Sequence, residues 1–314
     1  MLLFIWIVIL AVSLAALIKS SDYFTDSAEK IGLKFGIPAF IVGVSIVSIG
    51  TSLPELLTGI VAVMMGSSEI VIGNVVGSNI TNIFLGLGIL PLVIGYFTVD
   101  KNLVSVDLPI LVGSTFLIAI TCLDGKFTTV EAVFSLAGFI VYIGYIVSEH
   151  NEFKKKVTEE KKKDKALGLK TILVLIASCA GLFFSAKYTV ESIIKISQII
   201  NIGTEIISAS AVALGTSLPE IIASAVAARK GKIEMAVGTL LGSNIFNAFA
   251  IMGISGLVGT LVIPENMTGY GIYMLVLATL LYFFITLDRE VTKWEGWMLI
   301  IFYGVFLFKL FAWA

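Results

Sequence analysis

Gly50-Thr51-Ser52-Leu53-Pro54-Glu55 recurs residue for residue as Gly215-Thr216-Ser217-Leu218-Pro219-Glu220, at an offset of 165. The same offset carries Tyr23 to Tyr188, Lys30 to Lys195, Ser45 to Ser210, Glu69 to Glu234, Gly73 to Gly238 and Asn82 to Asn247. It also carries Gly77-Ser78-Asn79-Ile80 to Gly242-Ser243-Asn244-Ile245. Six identical residues in a row, a proline and a glutamate among them, set in otherwise apolar sequence, mark a duplicated unit.

The surrounding sequence belongs in a bilayer. Over 314 residues only 14% are charged, and the mean hydropathy is +1.02, well outside the range of a soluble domain. A helix that crosses the hydrocarbon layer needs about 20 mostly apolar residues. Such runs predict ten spans, over 2–18, 35–65, 69–96, 104–123, 128–148, 169–195, 203–228, 233–260, 269–287 and 292–313. The expected fold is an all-α integral membrane protein. Its first five-helix repeat occupies 1–148, a linker 149–168 and the second repeat 169–314. Because five is odd, the second copy enters the membrane from the opposite side, so the repeats are inverted.

With the first residue outside, 17 of the 21 Lys and Arg fall on the inner side. The positive-inside rule therefore predicts both termini outside and the Lys- and Glu-rich linker in the cytoplasm. The linker lacks the spacing of acidic ligands that an EF-hand needs, and His150 stands alone as a candidate ligand. Met1-Leu2-Leu3-Phe4 opens without the basic segment of a cleaved signal and reads as the start of a permanent helix. Cys122 and Cys179 lie in apolar runs and read as packing residues.

The repeated hexapeptide has the chemistry of a cation site. Pro54 lacks an N–H and crowds the preceding turn, which frees the carbonyl of Gly50, and Pro219 does the same to Gly215. A freed carbonyl within a membrane has to be satisfied by protein, water or an ion. Thr51, Ser52 and Glu55 share one helix face, as do Thr216, Ser217 and Glu220. In the following span Ser78 and Asn82 are four apart, matched by Ser243 and Asn247. The donors are all oxygens, which suits a hard cation such as Ca2+, whereas transition metals favour His or Cys.

Two ionised carboxylates about 5 Å apart repel by roughly 3 kcal/mol at an effective dielectric of about 20. One divalent or two monovalent cations offset that cost, and competition for one pair of charges is a physical basis for exchange. Alternative roles stand beside these. Thr and Ser hydroxyls in membrane helices also bond back to their own backbone. Asn82 and Asn247 also suit hydrogen bonds between helices. Gly73-x-x-x-Gly77 and Gly238-x-x-x-Gly242 also serve close helix packing. Glu69 and Glu234 open their spans, where a helix N-terminus stabilises negative charge, and Thr128 with Glu131 fits a capping box.

The paired GTSLPE elements, each followed by G-S-N-I-x-N, resemble the cation/calcium exchanger superfamily, specifically its sodium/calcium exchanger branch of prokaryotic type. The resemblance implies a ten-helix inverted-repeat antiporter that works by alternating access, with three sodium ions typically exchanged for one calcium. By motif it implies Glu55 and Glu220 as central carboxylates. Thr51, Ser52, Ser78, Thr216, Ser217 and Ser243 are implied as further ligands, with the backbone carbonyls of Ser48 and Ala213. Some relatives carry Asp where Asn247 stands, and its amide argues against potassium dependence. Proton-coupled members usually carry His after the key glutamate, where Leu56 and Ile221 stand here.

The expected function is exchange of Na+ for Ca2+ across a prokaryotic plasma membrane, with the two ions as substrates. No enzymatic activity, cofactor or nucleic-acid partner is expected. Proton-coupled antiport of Ca2+ or another divalent cation is the alternative, and a passive cation channel a more distant one. Thr239 stands where Asn74 predicts an asparagine, a break in the symmetry with no explanation in the sequence.

Overall fold

The computed structural model describes residues 2–34, 48–99, 106–153 and 169–312. Among these, eight helices are long and apolar enough to cross a membrane: Leu2–Ser27, Glu69–Ile94, Thr129–Ile146, Lys170–Ile200, Thr204–Arg229, Ile233–Val258, Met267–Ile285 and Lys293–Ala312. Two shorter apolar helices, Leu53–Met64 and Leu108–Thr121, stand where the second and fourth spans are expected. The segments before each of these two lie outside the described residues, as does most of the linker. The chain is a multi-pass, all-helical membrane protein.

Burial sorts the helices into two layers. In Glu69–Ile94 and Ile233–Val258, 72% and 78% of the most apolar window is buried, against 17% and 22% in Leu2–Ser27 and Lys170–Ile200. The first two, which carry the repeated G-S-N segments, form the centre. The other two continue as helices Leu2–Lys34 and Leu169–Ile200, pack along each other and present apolar faces outward. In water such faces would be unstable, but against lipid tails they cost nothing. Cys122 is buried as expected, whereas Cys179 is exposed on the outer layer.

Both central helices widen at the same point. Glu69–Ile80 runs into a π-helical stretch, Thr81–Leu87, before Gly88–Ile94; Ile233–Phe246 runs into one at Asn247–Ile251 before Met252–Val258. Such π segments recur at functional sites because the wider turn displaces carbonyls and side chains from the regular ladder. The two GTSLPE elements differ in backbone. The first is divided between the turn Ser48–Thr51 and the helix Leu53–Met64, with Ser52 between them. The second lies within one helix, Ala213–Arg229, which keeps Pro219 inside and takes up the distortion earlier, in the π segment Ser208–Val212.

Two short antiparallel strand pairs tie the repeats together. Tyr96 pairs with Thr292 and Phe97 with Val291, while Phe127 pairs with Leu261 and Lys126 with Val262. Moved by the 165-residue offset in opposite directions, Tyr96 and Thr292 become Leu261 and Phe127, so each ladder is the image of the other. The capping box forms as expected: the Thr128 N–H and Oγ1 both donate to Glu131 Oε2. Thr292 and Glu295 repeat it in the second half.

The first glycine stripe lies against main chain. A Cβ at Gly73 or Gly77 would overlap the main chain of Glu205 or Ala209, so this stripe admits the second repeat's backbone. At Gly238 a Cβ would meet nothing within 4 Å among the described residues.

Candidate ion-binding site

The site forms where the two proline-bearing helices meet the two π segments. Leu53–Met64 packs against Asn247–Ile251, and Ala213–Arg229 packs against Thr81–Leu87, so each repeat's glutamate helix meets the other repeat's asparagine. Glu55 is 2% exposed and Glu220 1% exposed. The two carboxyls act on each other's charge, with Thr216 beside Glu55, and Thr51 and Ser52 beside Glu220. Neither glutamate pairs with a Lys or Arg; among the described residues the one salt bridge is Lys19–Asp22, at the surface.

Four asparagines lock the centre. Asn79 Nδ2 donates to the Asn244 carbonyl at 3.1 Å, and Asn244 Nδ2 donates to the Asn79 carbonyl at 3.2 Å. Asn82 Nδ2 donates to Asn244 Oδ1 at 3.0 Å, and Asn247 Nδ2 donates to Asn79 Oδ1 at 2.9 Å. Both pairs of bonds are interchanged by the repeat offset, so the pseudo-twofold axis passes between Asn79 and Asn244. Asn82 and Asn247 thus hold helices together, one of the two roles their sequence positions suggested. Their Oδ1 atoms remain without hydrogen-bond partners.

Those two oxygens belong to a larger set. Among the described residues, Glu55 Oε2, both carboxyl oxygens of Glu220, Ser52 Oγ, Ser217 Oγ and the Oδ1 atoms of Asn82 and Asn247 are all buried without a hydrogen-bond partner. In other helices hydroxyls bond back to the chain, as Ser185 does to Gly181, Ser192 to Tyr188, Ser210 to Ile206 and Thr286 to Tyr282, while Thr58, Ser224 and Ser255, on or next to the helices of the site, are also buried without a partner among the described residues. An unmet buried polar atom costs about 1–3 kcal/mol, and more if charged. Seven of them, every one able to accept, are drawn from both repeats.

The remaining candidates divide. Ser78 and Ser243 are buried on the central helices, one turn before Asn82 and Asn247, and Ser78 Oγ makes a long contact of 3.5 Å to Asn74 Oδ1. Thr216 Oγ1 lies 3.1 Å from the Val212 carbonyl and 3.4 Å from that of Ala213, and its hydroxyl is also within reach of Glu55. Ser48 opens the turn Ser48–Thr51, and Ala213 opens the helix Ala213–Arg229 and is fully buried.

The carbonyl of Gly50, expected to be free for an ion, accepts a hydrogen bond from Ser21 Oγ on the first helix. The protein itself satisfies it. The counterpart of Ser21 is Ala186, which has no hydroxyl to offer Gly215.

Asn79 and Asn244 escape a reading of ligand chemistry, since neither needs to face the ion. Their signal was present as an exact match at the repeat offset, three residues before each candidate ligand. Glu69 opens its helix as expected and also accepts a bond from Thr204 Oγ1 at 2.8 Å, on the far side of the fold. The break at Thr239 has a structural counterpart: Thr239 is half-buried and bonds back to Met235, while Asn74 is buried.

Comparison with known proteins agrees with this geometry. The sequence profile of the family described as sodium/calcium exchanger protein matches residues 5–148 and 170–312, one segment per repeat. The sodium/calcium exchanger MaX1 of Methanosarcina acetivorans is 32% identical, with 96% of this chain and 97% of that protein covered. A putative antiporter, CaxA of Alkalimonas amylolytica, is 29% identical, with 96% and 97% covered. The solved structure of the sodium-calcium exchanger NCX_Mj soaked with Na+ and Sr2+ superposes with a TM-score of 0.63 at 28% identity, over 96% of this chain and 97% of that one. A match that spans both repeats and breaks only at the linker leaves no part of the membrane fold unaccounted for, and the chain belongs to the sodium/calcium exchanger family.

Proposed function

We propose that this chain exchanges Na+ for Ca2+ by alternating access at a single site shared by its two repeats. The observation that carries the reading is the set of seven buried, unpartnered acceptor oxygens around Glu55 and Glu220, with no basic residue to balance them among the described residues. One Ca2+ or two Na+ would neutralise two carboxylates, and a charged but unloaded site is costly in low dielectric. Competition for that pair couples the two fluxes. Glu55, Glu220, Asn82 and Asn247 would be the principal ligands. Thr51, Ser52, Ser78, Thr216, Ser217 and Ser243 would add hydroxyl oxygens, and Ser48 and Ala213 main-chain carbonyls.

The strand pairs support ten spans in two inverted repeats, 1–148 and 169–314. Tyr96–Thr98 and Glu290–Thr292 are hydrogen-bonded, so they share one side of the membrane and an even number of crossings separates them. Five of the long helices lie between them. Leu108–Thr121 is the sixth crossing that parity requires, and Leu53–Met64 then completes the first repeat by symmetry. The distribution of Lys and Arg supports both termini outside and the 149–168 linker in the cytoplasm, and the prokaryotic relatives support a prokaryotic plasma membrane.

The test is Ca2+ uptake into proteoliposomes loaded with Na+ and diluted into sodium-free medium. Uptake is expected under the outward sodium gradient and not under a pH gradient alone. Uptake driven by the pH gradient without sodium would replace this reading with proton-coupled antiport.

A further inference from the structure

We propose that Asn79 and Asn244 are positioning residues that fix the orientation of the Asn247 and Asn82 carboxamides, so that only oxygen, and never N–H, faces the cation. The inference rests on the reading of Asn82 and Asn247 as ligands.

A carboxamide has an oxygen end and an N–H2 end of nearly the same shape, and it can turn over. An Asn ligand with its nitrogen inward would present hydrogens to a cation and repel it. Something must therefore decide which end faces in. Here the decision starts at the main chain. The carbonyl of Asn244 can only accept, so it takes Asn79 Nδ2 at 3.1 Å and holds the Asn79 side chain in one orientation. Asn79 Oδ1 then accepts from Asn247 Nδ2 at 2.9 Å. Were Asn247 turned over, two acceptor oxygens would face each other at that distance. The Asn247 oxygen is therefore forced to the opposite side, where it has no protein partner.

The same chain runs in reverse through the other repeat. The Asn79 carbonyl fixes Asn244 at 3.2 Å, Asn244 Oδ1 fixes Asn82 at 3.0 Å, and Asn82 Oδ1 is left without a partner. All four side chains are at most 1% exposed, so water has no access to substitute for a missing partner. Each repeat thus orients the other's ligand, which neither repeat could do alone. The arrangement also explains why Asn79 and Asn244 recur at the offset although neither is itself left with an unpartnered acceptor.

The experiment is a double-mutant cycle that separates orientation from structural support. Aspartate at 247 has two equivalent oxygens and no wrong end to present. If Asn79 acts by orienting Asn247, Asn79→Ala in the wild-type background raises the KM for Ca2+ by about tenfold with a smaller change in kcat. In the Asn247→Asp background, where a carboxylate oxygen would face Asn79 Oδ1, the same substitution leaves that KM within about twofold or lowers it. An equal KM penalty in both backgrounds overturns the proposal. Asn244→Ala, measured with and without Asn82→Asp, is the mirror cycle and carries the same expectations. Loss of folding in both alanine variants that the aspartate partner does not repair also counts against orientation. Failure of the underlying site reading looks different: Asn82→Ala and Asn247→Ala would each leave the KM for Ca2+ and for Na+ unchanged.

Discussion

Asn79 and Asn244 each donate a side-chain hydrogen bond to the other's main-chain carbonyl, at 3.1 and 3.2 Å, across 165 residues of sequence. The two repeats are therefore joined at their axis of symmetry, and whatever either contributes next to that axis is shared. On the proposed reading Glu55 and Glu220 are such contributions to one site. Glu55→Gln and Glu220→Gln are each expected to reduce exchange by more than about a hundredfold, as removal of one partner from a buried charged cluster costs roughly 3–5 kcal/mol. Sodium-driven Ca2+ uptake measures this. Retention of about half the activity by either variant would indicate two independent sites.

Gly77 admits the main chain of Ala209, and Gly73 that of Glu205. Gly77→Ala is expected to lower stability by about 1–3 kcal/mol, because neither backbone can yield without parting the repeats. Gly113 has nothing within 4 Å of a Cβ, and Gly113→Ala is expected to be neutral or slightly stabilising, since alanine suits a helix interior better. Thermal unfolding of the two purified variants in the same detergent distinguishes them. An unchanged midpoint in Gly77→Ala would contradict the close approach.

Ser21 satisfies the Gly50 carbonyl that Pro54 releases. Ser21→Ala leaves that acceptor buried and unmet, at a cost of about 1–3 kcal/mol. The expected result is a lower unfolding midpoint with the KM for Ca2+ within about twofold of wild type, because Gly50 serves the fold and not the ion. A large rise in KM with unchanged stability would return Gly50 to the ligand set.

The strand pairs assign sides to the loops. Lys126 pairs with Val262, and Thr98 with Glu290. With the proposed five crossings in each repeat these two ladders would lie on opposite faces. In a background without Cys122 and Cys179, Lys126→Cys and Val262→Cys should react with an impermeant maleimide from outside, and Glu290→Cys only after permeabilisation. Labelling of Lys126→Cys and Glu290→Cys from the same side would refute the inverted topology.

Much of this was legible in sequence because duplication writes symmetry into the chain. The offset of GTSLPE located both glutamates, the G-S-N segments and their asparagines before any contact was known, and apolar length located the helices. What sequence left unread depended on contacts between residues far apart. Nothing at Ser21 announces that it would cap Gly50, 29 residues on. The π segments at Thr81 and Asn247 come from packing, not propensity. Asn79 and Asn244 carried the repeat signal, but a search for ligands passes over groups whose task is to hold other ligands. The divergence of the two GTSLPE backbones was also hidden: identical residues are broken at Ser52 in one repeat and helical through Ser217 in the other.

The central claim is that Ca2+ and Na+ compete for one pair of buried carboxylates. Equilibrium binding of Ca2+ to the purified protein, titrated at increasing Na+ in wild type, Glu55→Gln and Glu220→Gln, tests it most directly. The account predicts that Na+ raises the apparent Kd for Ca2+ without lowering the number of sites, and that either glutamine variant loses Ca2+ binding. Loss of sites at constant Kd, or Ca2+ binding that survives in both variants, would contradict it.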